Sequence, residues 1–298
     1  MYELIVVGGG PAGISAAAMA LNQRIEALII AEQWGGQTTY EMQIEDGESR
    51  ECISGETLLE NFRRQLDYLD FVHHFDRVVR VTPEENRFVV DTASGDRFIG
   101  QTLIMATGAK PERLDVPGAR RLEGRGLSHS ATTHAGLFLG KDVAVVGNGR
   151  RAQWATASLA RKAHRVHLLA PEPLVPTPLA EKLRRMEKLD LVEGATVTEV
   201  LGEQFVSGLV ARMPDGAERE IPVKGIFVKL ARVPNCDLVR DWVDCDSRGH
   251  IIIDQYNETS WPGLFAAGDV TLVSEQVLVH VGDGIRAALT AYHHLLMQ

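Results

Sequence analysis

Cysteine is the first scarcity. The 298-residue chain has only three, Cys52, Cys236 and Cys245. None forms a CxxC and none sits in a metal-ligand spacing, so no metal is expected and each thiol reads as free, buried and structural. Long apolar runs are missing too. Nothing approaches the ~20 residues of a membrane span, so no membrane partner is expected. The N-terminus enters a strand-like run without a signal-peptide pattern, which points to a cytoplasmic location. No dense basic run exists either, and a formal charge of −9 argues against a nucleic-acid partner. Linkers and low-complexity segments are absent as well. The length accommodates two domains at ~150 residues each, and the second reads as inserted into the first.

What the chain has is glycine in two informative places. Gly8-Gly9-Gly10-Pro11-Ala12-Gly13 follows the apolar run Leu4-Ile5-Val6-Val7, and Gly147-Asn148-Gly149-Arg150-Arg151-Ala152 follows Val143-Ala144-Val145-Val146. Each is a strand entering a tight turn that opens a helix. Glycines let the backbone approach a pyrophosphate, and the helix N-terminus offers unpaired N–H groups and a favourable dipole. One such turn is weak evidence; two indicate a two-nucleotide plan.

The pattern around the first turn predicts a strand at 3–8, a helix at 12–22 and a strand at 26–30. Glu32, about 20 residues past the turn, reads either as a ribose-hydroxyl acceptor or as an exposed acid at a strand end. Residues 40–56 read as a polar loop and 56–70 as an amphipathic helix. Short strands follow at 78–81, 87–92 and 96–100, with Gly95 in a hairpin turn, and an apolar strand at 102–105. A second αβ series runs from 142 to about 242. Two runs, 249–254 and 263–269, close the molecule.

These residues resemble the low-molecular-weight, FAD-dependent thioredoxin reductases over essentially the whole chain. The carriers are the first glycine turn, Gly35-Gly36-Gln37, Ala106-Thr107-Gly108-Ala109, Lys141 to Gly147, Pro262 to Val270, Gln276-Val277 and Gly282-Asp283-Gly284. The resemblance implies an α/β fold of two Rossmann-like, three-layer (ββα) dinucleotide-binding domains. The FAD domain would be 1–112 plus 243–298, enclosing an NAD(P)-binding-like domain at 113–242. It implies that Gly8, Gly10 and Gly13, with Pro11 and Ala12, cradle the FAD pyrophosphate. Asp269 would bond the ribityl–phosphate region, and Gln37, Gln276 and Val277 would lie beside the isoalloxazine. Gly36, Thr107, Gly108 and Gly268 complete the implied cofactor set. A homodimer is implied by the same likeness.

The departures are informative. Thioredoxin reductases carry a CxxC where this chain has Ser130 and Thr133, and hydroxyls cannot relay two electrons by thiol exchange. His134 replaces the acid that follows. His134 and His129 are read either as proton donors titrating near neutrality or as packing residues. In the nucleotide half, Trp154 and Ala155 stand where the family has an acidic pair. The basic cluster that would read a 2′-phosphate gives way to Ala170-Pro171-Glu172-Pro173. Glu172 favours NADH over NADPH, since a carboxylate accepts from a free ribose diol and repels a phosphate. Arg150 and Arg151 are either phosphate contacts or solvated side chains. A half that binds no pyridine nucleotide, with Trp154 blocking or stacking in the site, is the other reading.

Three functions fit. One is an FAD oxidoreductase without the redox dithiol, passing electrons between NADH or a small redox protein and a redox-protein or small-molecule acceptor such as a quinone. Another is a catalytically decayed flavin protein kept as a redox sensor or interaction module. The last is a disulfide reductase that has recruited Cys52.

Overall fold

The computed structural model describes residues 1–39, 42–45, 55–67, 72–271 and 276–298. Cys52 and most of the expected polar loop at 40–56 lie outside them. The chain divides into two compact units, one of Met1–Thr39, Ile53–Lys110 and Val233–Gln298, the other of Tyr40–Cys52 and Pro111–Arg232.

The first unit is organised on strand Tyr2–Val7. Ala27–Ala31 flanks it on one side, with His73–Phe75 beyond; Arg97–Met105 flanks it on the other. These strands and Leu264–Ala266 are all parallel, while Arg87–Thr92 and Val78–Glu84 add an antiparallel meander. Successive side chains of a strand point to opposite faces, and a parallel sheet is covered on both, so its strands read as continuous apolar runs. Leu4 and Val6 accordingly pack with Ile29, Ile104 and the alanines of helices Pro11–Asn22 and Val277–Leu296. Ile5 and Val7 pack on the other face with Leu28, Met105, Phe88 and Val90.

Two expectations change here. Residues 96–105 do not form two strands but one, Arg97–Met105. Gly100 suggests a break, yet a Cβ there would stand 2.9 Å from Ile5 Cγ1, so glycine serves close packing within a continuous strand. Thr102 stays in the buried strand by donating its hydroxyl to the Glu3 carbonyl at 2.7 Å. The closing segment of this unit begins at 233 rather than 243, because Cys236 and Val239 are fully buried in its core. Met42 and Ile44 pack with the core of the second unit, so part of the expected FAD segment belongs there.

The second unit holds a five-stranded parallel sheet in the order Leu189–Glu193, Val166–Ala170, Val143–Val146, Gly225–Val228, Leu127–Ser128. Helices Arg150–Ala160 and Pro178–Leu183 pack on one face. The antiparallel strands Thr196–Leu201, Gly208–Arg212 and Glu218–Pro222 pack on the other. Each unit thus has the expected three-layer α/β build. Among the described residues, no helix is long and apolar enough to cross a membrane.

Candidate functional site

The glycines of the first turn divide into two jobs. Gly8 has φ +117°, and a Cβ on it would lie 2.3 Å from the Ala106 carbonyl oxygen. On Gly13 a Cβ would lie 1.8 Å from the Gly8 carbonyl oxygen. Both are glycine because backbone passes too close for any side chain. Gly10 differs: nothing lies within 4 Å of its Cβ position. It precedes Pro11, the first residue of helix Pro11–Asn22, whose fixed φ suits that place. The N-terminus of this helix therefore opens onto free space walled by backbone, a cradle of the kind a pyrophosphate fills.

Around it stand the other expected residues. Asp269 follows Gly268, whose φ of +79° makes a sharp turn. Its carboxylate meets His280 Nε2 at 3.3 Å on Oδ1 and Gln37 Nε2 at 3.4 Å on Oδ2. Gln37, exposed in the turn Gly36–Thr39, also donates to the Ala109 carbonyl. Thr107 and Gly108 are tied to Asn235, whose side chain donates to the Thr107 carbonyl at 2.8 Å. The Thr107 hydroxyl returns a bond to the Asn235 carbonyl at 2.6 Å. Glu32 is exposed just past strand Ala27–Ala31, and Gln276 precedes helix Val277–Leu296, with Val277 half-buried at its start.

His280 and Asn235 escaped the sequence reading. The only signal for His280 is its spacing of four from Gln276, one helical turn. Nothing local marks Asn235.

The second turn repeats the division of labour. Gly147 has φ +143°, and a Cβ on it would stand 2.3 Å from the Lys229 carbonyl oxygen, whereas Gly149 faces open space at the start of helix Arg150–Ala160. Arg151 Nη1 donates to the Leu230 carbonyl at 3.0 Å. Arg150 is exposed. With Trp154, Thr177 and Lys182 it lines an open depression of about 470 Å³. Trp154 is 64% exposed, so it presents a flat ring to solvent. Glu172 is exposed, and Asn148 Nδ2 reaches its Oε2 at 3.4 Å.

At the positions that the resemblance matches to a CxxC, the Ser130 hydroxyl donates to Thr133 Oγ1 at 2.9 Å and caps the short helix Ala131–His134 by accepting from the Thr133 N–H. His134 Nδ1 bonds Ser128 Oγ at 2.7 Å. Burial, reinforced by the Lys229 ammonium, brings His134 from 6.5 down to about 4. Burial lowers His129 as well, against an opposing pull from Glu123, whose Oε1 is 3.2 Å from Nε2. The expectation that His134 titrates near neutrality therefore fails. Burial keeps it a neutral imidazole at pH 7, helped by Lys229, whose ammonium bonds the His129 carbonyl at 2.5 Å.

Residues 2–294 match the family model described as pyridine nucleotide-disulphide oxidoreductase. The chain belongs to this family. The family uses FAD and pyridine nucleotides, and the two-unit α/β fold is that of thioredoxin reductases. It is similar to the thioredoxin reductase of Streptococcus pyogenes MGAS5005, with a TM-score of 0.87, 28% identity and coverage of 100% of this chain and 99% of that one. It is 36% identical over 307 residues to an alkyl hydroperoxide reductase component of Pseudomonas putida. It is 32% identical over 300 residues to a protein of Bacillus subtilis (strain 168) named NADH dehydrogenase. These two alignments cover 99% of this chain but only 58% and 59% of the relatives, so the chain spans about three fifths of their length.

Proposed function

We propose that this family member binds FAD in its first unit and NADH in its second, and delivers electrons from the flavin to a small-molecule acceptor such as a quinone without a CxxC relay. The observation that carries this reading is the duplicated cradle: Gly10 and Gly149 each leave a helix N-terminus open while their neighbours close the turn. FAD, when bound, supplies hydride and electron transfer at its isoalloxazine ring.

The chain's own residues are assigned to the remaining work. Gly8, Gly10 and Gly13, with Pro11 and Ala12, receive the pyrophosphate. Asp269, held by His280 and Gln37, accepts from sugar hydroxyls. Glu32 accepts from a ribose of the same cofactor. Thr107 and Gly108, fixed by Asn235, and Gln276 with Val277 border the ring. In the second unit Gly149 takes the NADH pyrophosphate and Glu172 accepts from the free ribose diol, which favours NADH over NADPH. Arg150 and Lys182 supply positive charge nearby.

The Ser130–Thr133 pair separates this proposal from thiol chemistry. Steady-state turnover tests it: NADH oxidation should proceed with a quinone acceptor and fail with a protein disulfide. Reduction of the disulfide at a comparable rate would overturn the absence of a dithiol route. By resemblance we extend the proposal to a homodimer, which sedimentation of the purified chain decides.

A further inference from the structure

The carboxylate assigned to the cofactor's sugar hydroxyls has a buried histidine behind it. Asp269 Oδ1 lies 3.3 Å from His280 Nε2, and Asp269 Oδ2 lies 3.4 Å from Gln37 Nε2. One nitrogen from helix Val277–Leu296 and one from the turn Gly36–Thr39 thus face the two oxygens. His280 is only 7% exposed. A Cβ on Gly268 would stand 3.8 Å from His280 Cγ and 3.0 Å from Ala12 Cβ. The Gly268 turn therefore has the imidazole and the first turn of the cradle helix as its immediate neighbours. Other charges nearby are few. Among the described residues, helix Pro11–Asn22 and strand Leu264–Ala266 carry no ionisable side chain. Strand Arg97–Met105 carries only Arg97, which is exposed and paired with Asp91. On the helix of His280, Asp283 is buried and held by Arg286 at 2.7 Å. Asp269 is the carboxylate that faces the imidazole.

We propose that His280 is a positioning residue for FAD, and that the cofactor binds with uptake of a proton by its imidazole. The inference rests on the FAD reading of the first unit. A pyrophosphate brings negative charge to the cradle beside Asp269, and negative charge close to an imidazole favours the imidazolium. The proton comes from solvent. The imidazolium then donates from Nε2 to Asp269 as a charge-assisted bond and offsets the added charge, while the carboxylate keeps lone pairs for the sugar hydroxyls. Binding and protonation reinforce each other, because a coupling between two ligands is reciprocal. FAD affinity is therefore greatest at low pH and falls as rising pH removes the proton.

The test titrates the whole apoprotein with FAD, read by flavin fluorescence at fixed ionic strength, from about pH 5.5 to about pH 9, a range that brackets ordinary histidine titration. In the parent, affinity should fall about fivefold or more across the range. His280→Gln keeps an N–H for Asp269 but cannot take up the proton. It should bind FAD within about threefold of the parent at the high-pH end and lose the slope. His280→Ala, with no donor for Asp269, should bind about tenfold more weakly than His280→Gln. A parent affinity independent of pH, or a slope that survives in His280→Gln, would overturn the proton uptake. An alanine variant as tight as the glutamine variant would overturn the positioning role. Should His280→Ala fail to fold, the parent and His280→Gln still decide the linkage. A parent that binds FAD without a slope sinks this inference alone, whereas a parent that binds no FAD at any pH sinks the flavin reading and this inference with it.

Discussion

Ser130 Oγ and Thr133 Oγ1 lie 2.9 Å apart and hydrogen-bonded, in the positions that the sequence resemblance matches to the two thiols of thioredoxin reductases. Under the proposed function this is the spacing of a redox pair without its chemistry. The same Ser130 oxygen caps helix Ala131–His134, so the serine serves local structure.

Restoring both thiols should therefore restore the bond. The double variant Ser130→Cys, Thr133→Cys is expected to close an intramolecular disulfide on mild oxidation, at a cost of about 1 kcal/mol for the lost cap. Thiol titration before and after oxidation checks it. Two introduced thiols that stay free under oxidation would show that the sulfurs cannot meet here.

The two kinds of glycine separate under mutation. Gly13→Ala drives a methyl into the Gly8 carbonyl and should cost roughly 2 kcal/mol or more, as overpacking against fixed backbone does. Gly10→Ala meets open space at φ −78°, an ordinary angle for alanine. Its stability should stay within about 1 kcal/mol of the parent, while FAD affinity falls about tenfold or more because the methyl occupies the cradle. Urea unfolding and flavin fluorescence on the apoprotein measure the two effects. Equal losses of stability in both variants would contradict the division.

His134 makes part of the stability pH-dependent. Its folded value of about 4 lies below the unfolded 6.5, so between these values the unfolded chain binds more protons. Stability contributed by the neutral imidazole is complete above about 6.5, falls as the pH drops toward 4, and loses nothing further below. The effect is a few kcal/mol at most. His134→Gln, which keeps a polar group for Ser128, should flatten the slope of unfolding free energy over that window. His129 and His167 are shifted in the same direction by burial, so some slope should remain in the variant.

Under the proposed NADH reading, Glu172 sets the nucleotide specificity. Glu172→Arg exchanges a group that repels a 2′-phosphate for one that binds it bidentately. The ratio of kcat/KM for NADPH over NADH should rise by roughly ten- to a hundredfold. An unchanged ratio would remove Glu172 from the nucleotide site.

Both glycine turns and their strands were legible because their signals are local: an apolar run, then glycines whose spacing the turn itself dictates. Gly100 misled for the opposite reason. Its role is to admit Ile5 from a neighbouring strand, a contact spanning 95 residues (100 − 5), and in sequence it looks like a break. Cys236 and Val239 were assigned to the wrong unit, since nothing in their own neighbourhood reports which core they fill. The same limit hid His280, whose partner Asp269 is reached only after the fold brings the helix start against the turn. It also hid the depressed titration of His134, which comes from its burial and, second, from Lys229 just past strand Gly225–Val228. Residue types at the candidate site could be read; their protonation and their partners required the packing.

The most direct test of the account is anaerobic mixing of the FAD-loaded chain with NADH, and separately with NADPH, while flavin absorbance is followed. Prompt and complete bleaching by NADH, with a far slower response to NADPH, is the predicted result. A flavin that dithionite bleaches but neither nucleotide touches would contradict the central claim and leave the second cradle without its assigned ligand.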